Sequence, residues 1–336
     1  MRAISYYYII LFSFVFTTSV SAQYTETINS NRPGESQGAF SVGNNVLQLE
    51  SGFDFGNDSH DLLNTDTDIF GINTMIRYGL FFEQLEINTN FRYQRDEISF
   101  LSGSTNTSIR SGIETFQIGA KYLIYDPYKN AEEEVNRYSY HANNKFKWST
   151  LIPAVSVYAG GVFDFTNSDF NTIRDDGLSP NITIATQHNW GRWVWVNNFI
   201  FDRIGTTFPS TAWITTLTHS LSSKVALFGE YQIVDGDLYT DFLFRGGGAY
   251  LITKNLQADI SGLVNFKNTP SRWNVGAGLS YRLDLHKKDQ IIEDTSDKDK
   301  KSSSKKQAER INRKNKKANK KRRDSVTPDN GNDNQQ

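Results

Sequence analysis

The sequence predicts an all-β fold, a transmembrane antiparallel up-and-down β-barrel of about 12 strands. Aromatic residues make up 13% of the 336 residues, whereas hydrophobic residues as a whole reach only 38%. Aromatic side chains fit a pleated sheet surface. Between residues 44 and 285 the apolar residues recur with period 2, which is typical of strands, and no convincing helical period of 3.6 is present.

Residues 85–94, LEINTNFRYQ, show the alternation most clearly. One face of this segment would carry Leu85, Ile87, Phe91 and Tyr93, and the other Glu86, Asn88, Asn90, Arg92 and Gln94. A strand in a membrane barrel meets hydrocarbon on its outer face and water on its inner face, so this pattern fits a bilayer crossing.

Similar alternation predicts twelve strands, most of them longer than the usual 5–6 residues. They are predicted at 46–55, 68–80, 85–94, 114–125, 151–165, 181–190, 193–202, 210–220, 225–234, 238–250, 256–266 and 272–285. A tilted strand needs about 9–11 residues to cross a bilayer. Lipid cannot hydrogen-bond to the backbone, so a spanning sheet must close on itself. A soluble β-sandwich or β-helix is the alternative, although sandwich strands are usually shorter.

The connections between these strands differ on the two sides of the sheet. Short turns are predicted on the side of the N-terminus, at 79–84, 191–192, 221–224 and 252–255. Longer polar loops are predicted on the opposite side, at 56–66, 95–112 and 166–177. Short periplasmic turns and longer extracellular loops are typical of outer-membrane barrels. Residues 126–148 are too long for a simple periplasmic turn.

The two ends of the chain differ from its middle. Residues 1–22 combine Arg2, an apolar stretch and small residues, which predicts a signal peptide rather than an anchor helix. Residues 23–43 contain Pro33, Gly34 and Gly38 and are predicted to form a plug or strap at the periplasmic mouth. The barrel is placed at 44–285. Residues 286–336 carry 16 Lys and Arg against 9 Asp and Glu. This composition predicts a disordered basic tail.

The expected partners follow from the predicted location. Outer-membrane lipid would surround the barrel, and the basic tail would contact anionic periplasmic surfaces. A secreted protein rarely meets nucleic acid, so no nucleic-acid partner is expected.

No enzyme, cofactor or metal site is predicted. The chain has no cysteine and only five histidines, which are scattered along it. Neither a G-x-S-x-G elbow, nor an H-E-x-x-H motif, nor a phosphate-binding loop is found.

The alternation also predicts which polar residues would line the lumen. The candidates are Glu50, Arg77, Glu86, Asn88, Asn90, Arg92, Gln94, Lys121, Glu230, Asp241, Arg245, Asp259, Arg282 and Asp284. These charges could form a passage that selects solutes, or they could neutralise one another and fill the barrel. A barrel of twelve strands lies between the filled barrels of eight and the open channels of 16–18. Both interpretations remain open.

Residues 29–55 resemble the opening of the outer-membrane family named for a meta-pathway of phenol degradation. The matching residues are Arg32, Pro33, Gly34, Val42, Gly43, Gln48, Leu49, Glu50 and Gly52. Asn31 stands where members of the family often have Asp. Residues 146–160 also resemble the middle of the family.

The resemblance implies a β-barrel transporter in the outer membrane of a Gram-negative-type bacterium. The expected function is a passive channel for small, hydrophobic or aromatic, solutes. The alternative is a structural or ligand-binding outer-membrane barrel with a closed lumen. Nothing in the sequence identifies the solute.

Overall fold

The computed structural model describes residues 27–101, 107–128, 151–165, 168–170 and 177–285. The predicted signal peptide, the predicted basic tail and most of residues 126–148 lie outside the described residues. Among the described residues, no helix is long and apolar enough to cross a membrane.

Twelve antiparallel strands form one closed barrel, which confirms the predicted fold class. Each strand pairs with its neighbours in sequence, and β1 pairs with β12 to close the barrel. The strands are β1 (Val46–His60), β2 (Thr65–Gly79), β3 (Leu85–Phe100), β4 (Thr107–Tyr125), β5 (Ala154–Asp164), β6 (Gly177–Trp190), β7 (Trp193–Asp202), β8 (Ser210–Ser220), β9 (Val225–Gly236), β10 (Asp241–Thr253), β11 (Leu256–Asn265) and β12 (Ser271–Asp284).

The outward-facing side chains form an apolar belt around the barrel. Phe53 on β1, Ile260 on β11 and Val275 on β12 remain 49%, 59% and 49% exposed, and the other strands contribute similar residues. An apolar surface that surrounds the whole sheet is matched to hydrocarbon rather than to water. The belt therefore marks the part of the barrel that crosses the bilayer.

The first four strands extend further than the sequence predicted. The predicted loop at 56–66 is wrong, because β1 continues to His60 and only residues 61–64 form the turn. The predicted loop at 95–112 is also wrong, because β3 reaches Phe100 and β4 begins at Thr107.

The two loop predictions are wrong because the added parts of the strands carry charged residues that pair across the sheet. Asp96 lies opposite Arg110 in the register of β3 and β4, and their side chains form an ion pair at 2.5 Å. In the sequence such residues suggest a solvated loop. β1 starts and β12 ends at one end of the barrel. Four of the five connections between strands at this end are short, at 80–84, 191–192, 221–224 and 254–255, and the fifth spans residues 126–153. We call this end the periplasmic end.

Candidate functional site

The structure places most of the predicted lumen residues in buried positions. Buried are Glu50, Arg77, Glu86, Asn88, Gln94, Lys121, Glu230, Asp241, Asp259 and Arg282. Asn90, Arg92 and Arg245 are partly exposed, and Asp284, the last residue of β12, is exposed. An interior of charged and amide side chains inside an apolar exterior is the inverse of a soluble protein core.

A buried charge network lies near the periplasmic end, on β1 to β4. The Arg77 guanidinium contacts the Glu50 carboxylate at 3.1 Å and the Glu86 carboxylate at 2.9 Å. The Lys121 ammonium contacts Glu86 at 3.3 Å. Buried charges are tolerated where they are paired and hydrogen-bonded, so these four residues form one neutral unit.

Residues 27–45, which we call the luminal segment, run across the barrel interior before β1 begins. The segment starts at the turn between β10 and β11, where the Ile28 N–H donates to the Lys254 carbonyl at 2.8 Å. The Glu50 carboxylate then accepts three hydrogen bonds from it: the Ser30 hydroxyl at 2.9 Å, the Asn31 N–H at 3.0 Å and the Arg32 N–H at 3.1 Å. A wall carboxylate thus satisfies backbone donors that lie away from any sheet.

The luminal segment next reaches the opposite wall. The Glu230 carboxylate on β9 accepts from the N–H groups of Glu35 at 3.0 Å and Ser36 at 3.3 Å. The Asn198 side chain on β7 accepts from the Gln37 N–H at 2.6 Å and donates back to its carbonyl at 2.9 Å.

The last part of the luminal segment returns to β3 and β4. The Lys121 ammonium donates to the carbonyl groups of Gly38 at 3.0 Å and Phe40 at 3.1 Å. The Glu86 carboxylate accepts from the Val42 N–H at 3.0 Å. The segment is therefore held by side chains from strands all around the barrel and spans its periplasmic end.

Arg32 occupies a socket built from three adjacent strands. Its guanidinium donates two hydrogen bonds to the Asp259 carboxylate on β11, at 2.9 and 3.2 Å. Gly52 on β1 and Gly278 on β12 face each other in register, and Asp259 faces Gly278. A Cβ atom at either glycine would lie 2.3 Å from the Arg32 guanidinium. The two glycines therefore make the room that the arginine fills.

The residues of the N-terminal family motif meet at this place. Glu50 binds the backbone of Arg32, and Gly52 contacts its side chain. The Gln48 amide donates to Glu50 at 2.7 Å. Gly34 lies against the wall, since a Cβ there would be 2.5 Å from the Glu230 carboxylate. The motif thus couples the luminal segment to β1.

A cavity of about 500 Å³ occupies the lumen beyond the luminal segment. Residues 31–37 contribute Asn31, Arg32, Pro33, Gly34, Glu35 and Gln37 to its lining, and residues of the strands supply the rest. Sites for small molecules usually have volumes of about 300–1,000 Å³. The cavity is therefore large enough for one small ring compound.

At the opposite, extracellular end, two aromatic side chains lie against cationic groups. Tyr239, in the turn between β9 and β10, donates a hydrogen bond to Asp241, and the Lys267 ammonium lies 4.6 Å from its ring centre. Burial raises the pKa of the Tyr239 hydroxyl above its ordinary value, so the hydroxyl stays protonated and continues to donate. Phe170 packs on the other side, where the Arg110 guanidinium lies 4.4 Å from its ring centre.

Sequence reasoning missed several residues that contact the luminal segment. Asn198 was overlooked because the alternation on β7 is unclear. Gln187 on β6, which accepts from the Ala39 N–H at 3.0 Å, could have been found, since Asn181 and Thr183 precede it at period 2. Nothing in the local sequence indicates that Gly278 receives Arg32.

Among the described residues, no group of three or more His, Cys, Asp or Glu side chains could hold a metal ion. The acidic side chains of the lumen contact guanidinium, ammonium, amide and backbone groups instead.

The closed antiparallel barrel, its apolar belt and its charged interior define an outer-membrane β-barrel. The chain belongs to the family described as "Putative MetA-pathway of phenol degradation", whose sequence model matches residues 30–283.

The chain is also similar to several solved structures of channels and porins. An outer membrane channel from Pseudomonas putida F1 has a TM-score of 0.48 at 11% identity, over 76% of this chain and 100% of that chain. The NanC porin has a TM-score of 0.43 at 10% identity, over 70% and 100%. The TodX monoaromatic hydrocarbon channel has a TM-score of 0.39 at 10% identity, over 73% and 92%. No curated protein sequence matches this chain significantly.

Proposed function

We propose that the protein is a passive outer-membrane channel for small solutes, which include the aromatic compounds suggested by the family description. The observation that supports this proposal most directly is the polar cavity of about 500 Å³ inside a barrel whose exterior is apolar. Such a barrel offers a hydrated route through hydrocarbon that a solute otherwise cannot cross easily. The cavity size favours single small molecules.

The luminal segment supports a regulated form of this function. It spans the periplasmic end. Hydrogen bonds and ion pairs, such as the Arg32–Asp259 pair and the Lys121 contacts, hold it together with the buried side chains of Ile28, Ala39 and Val42. Polar contacts of this kind exchange readily with water when a segment moves. We take the segment as the gate between the cavity and the periplasm.

A closed structural or binding barrel is the second candidate. The observation that favours it is the number of wall residues that engage the luminal segment, among them Glu50, Glu86, Asn198 and Glu230. In that case solutes would enter the cavity from outside and would not cross.

Solute flux distinguishes the two candidates. Purified protein is inserted into proteoliposomes, and swelling is followed with neutral solutes of increasing size. A channel gives a flux that falls with solute size. Absence of flux for every small solute would favour the closed barrel.

Deletion of residues 24–42 tests the role of the luminal segment. Single-channel conductance in planar bilayers should rise in this variant, because the wall carboxylates then face an open lumen. Deletion of residues 318–336 removes the same length from the other end of the chain and should leave conductance unchanged. Equal conductance of the intact chain and the 24–42 deletion would contradict the gate.

A further inference from the structure

Two arginines in the wall of the lumen cavity each contact two carboxylates. The first is Arg92 on β3, whose guanidinium contacts the Asp54 carboxylate of β1 at 2.8 Å and the Glu114 carboxylate of β4 at 3.0 Å. Asp54 also accepts a hydrogen bond from the Asn274 amide at 2.7 Å. One cation therefore faces two carboxylates, and this cluster carries an excess negative charge.

The second arginine is Arg245 on β10. Its guanidinium contacts the Glu230 carboxylate of β9 at 3.1 Å and the Glu35 carboxylate of the luminal segment at 3.0 Å. Glu230 also accepts hydrogen bonds from the Thr216 hydroxyl at 2.8 Å and from the Glu35 N–H at 3.0 Å. This cluster, too, carries an excess negative charge.

The two clusters lie on opposite walls of the barrel. β3 and β9, and likewise β4 and β10, are separated by half of the closed ring of strands. Arg92, Glu114, Arg245 and Glu35 all line the cavity. The side chains of Glu114 and Glu35 remain 36% and 43% exposed, so a solute in the cavity can reach both. Such a solute passes between two clusters of the same sign.

The other charged side chains that line the cavity are matched by partners among the described residues. Arg272 contacts Asp58, and Arg32 contacts Asp259. Glu50 belongs to the neutral unit of four residues near the periplasmic end. In the part of the chain that the structure describes, the cavity lining therefore has a negative excess that comes from the two arginine clusters.

Movement of the luminal segment leaves this excess unchanged. Residues 27–45 contain a single cation, Arg32, and a single carboxylate, Glu35. If the segment leaves the lumen, Glu35 no longer adds to the Arg245 cluster, but Asp259 loses Arg32 and becomes an excess carboxylate itself. Glu114 belongs to β4 and is part of the wall in either case. The sign of the lumen charge is therefore the same with the segment in place and with the segment displaced.

The extracellular end of the barrel has the same sign of charge. The end of the β1–β2 hairpin, residues 57–68, carries four aspartates, and residues 235–241 between β9 and β10 carry three. Neither stretch contains a lysine or an arginine. Among the described residues, only Asp58 and Asp241 of these aspartates form ion pairs. Negative charge at an entrance raises the local concentration of cations.

We propose that the lumen passes cations in preference to anions, and that Glu114 is a residue that determines this preference. The solutes that fit are small and positively charged, such as potassium and organic ammonium ions. An anion meets an excess of carboxylates on both walls, whereas a cation can contact Glu114 without breaking the Arg92–Asp54 pair. The inference rests on the proposed function, since it concerns which solutes pass through the same cavity.

The size of the preference follows from Coulomb's law. In water, one unit charge about 4 Å from an ion changes an equilibrium constant about fivefold. The change has opposite directions for cations and anions, and dissolved salt screens part of it. We expect the permeability for potassium to exceed that for chloride about tenfold. Because both clusters contribute, neutralising one of them should leave a ratio of about threefold.

Reversal potentials of the full chain in planar bilayers measure this ratio, with KCl at different concentrations on the two sides. The reversal potential does not depend on the number of open channels, so a change in gating does not alter it. A second series with tetramethylammonium chloride tests an organic cation and should give the same sign. The variant that lacks residues 24–42 should also prefer potassium, because the charges of the luminal segment cancel.

Substitutions localise the preference. Glu114→Gln removes the charge at nearly constant shape and should lower the ratio of potassium to chloride permeability about threefold. Glu114→Asp keeps the charge and should retain most of the ratio. Glu97→Gln, on the exposed outward face of β3, is the matched control and should leave the ratio unchanged. The gel shift of the unheated barrel reports folding, and the measurement on the unaltered chain stands without the variants.

Three results would overturn the preference: potassium passes no more readily than chloride, chloride passes more readily than tetramethylammonium, or Glu114→Gln leaves the ratio unchanged. Each of these results keeps the channel and removes the charge selectivity assigned here. The proposed channel fails differently, since a chain that inserts into the bilayer without any conductance would remove the channel and the preference with it.

Discussion

The Arg32 socket gives the sharpest prediction about the gate. Replacing Arg32 by alanine removes both hydrogen bonds to Asp259, whose side chain is fully buried, whereas the Arg32 side chain is 17% exposed. Loss of one partner costs about 3–5 kcal/mol in a buried pair and about 0–1 kcal/mol at a surface. We expect an intermediate cost of about 2 kcal/mol to the closed arrangement.

The expected effect on gating follows from this magnitude. Since about 1.4 kcal/mol corresponds to a tenfold change in an equilibrium constant, Arg32→Ala should raise the ratio of open to closed states about 30-fold. Single-channel recordings measure this ratio as open probability. Arg32→Lys keeps the charge but loses the paired geometry, so its effect should be smaller.

Glycine substitution tests the same socket without removing a charge. Gly278→Ala places a methyl group 2.3 Å from the Arg32 guanidinium and should also raise the open probability. Gly229→Ala on β9 is the matched control, because nothing lies within 4 Å of its added Cβ. Unchanged open probability in both Arg32→Ala and Gly278→Ala would show that the Arg32 socket does not hold the gate closed.

Four further substitutions test the register of β3, the contacts that hold the luminal segment and the packing of the barrel. Ile87→Asp places a charge on the lipid-facing side of β3 and should impair assembly, whereas Asn88→Asp, in a buried inward position, should not. Recovery of heat-modifiable barrel from membranes measures the assembly of both variants. The reverse result would mean that the register of β3 is one residue off. Lys121→Ala removes the donor for two carbonyl groups of the luminal segment and should raise conductance fluctuations in bilayer recordings; quiet traces like those of the unaltered chain would argue against it. Gly160→Ala places a methyl group 2.3 Å from the Tyr158 hydroxyl and should lower the temperature at which the barrel unfolds on gels, a shift that Gly229→Ala should not produce.

The number of strands could be predicted because alternation is a local property. Residues 85–94 show both faces of β3 without any knowledge of its neighbours. The outer ends of β3 and β4 could not be predicted, because beyond the bilayer Arg95, Glu97 and Ser99 replace the apolar residues on the outward face of β3 and the alternation is lost. The pairing of β3 with β4 in the structure, for example of Asp96 with Arg110, shows that the sheet continues.

The luminal segment could be predicted only in outline. Pro33, Gly34 and Gly38 and the absence of alternation indicated a segment outside the sheet. Its contacts join residues far apart in sequence, such as Arg32 with Asp259, and no local pattern encodes such a pair. The family motif contains Arg32 and Gly52, but no physical reason for these residues was visible in the sequence. The socket explains both, because the Arg32 side chain fills the space beside Gly52.

The proposed gate requires that the luminal segment closes the channel and moves when solutes pass. The chain has no cysteine, so one engineered pair can lock it without side reactions. Ser30 and Ser280 are suited to this, since their hydroxyl oxygens lie 2.7 Å apart. Proteoliposomes with Ser30→Cys and Ser280→Cys should show no solute flux when oxidised and should regain flux on reduction. Equal flux in the two states, or no flux in either, would contradict the account.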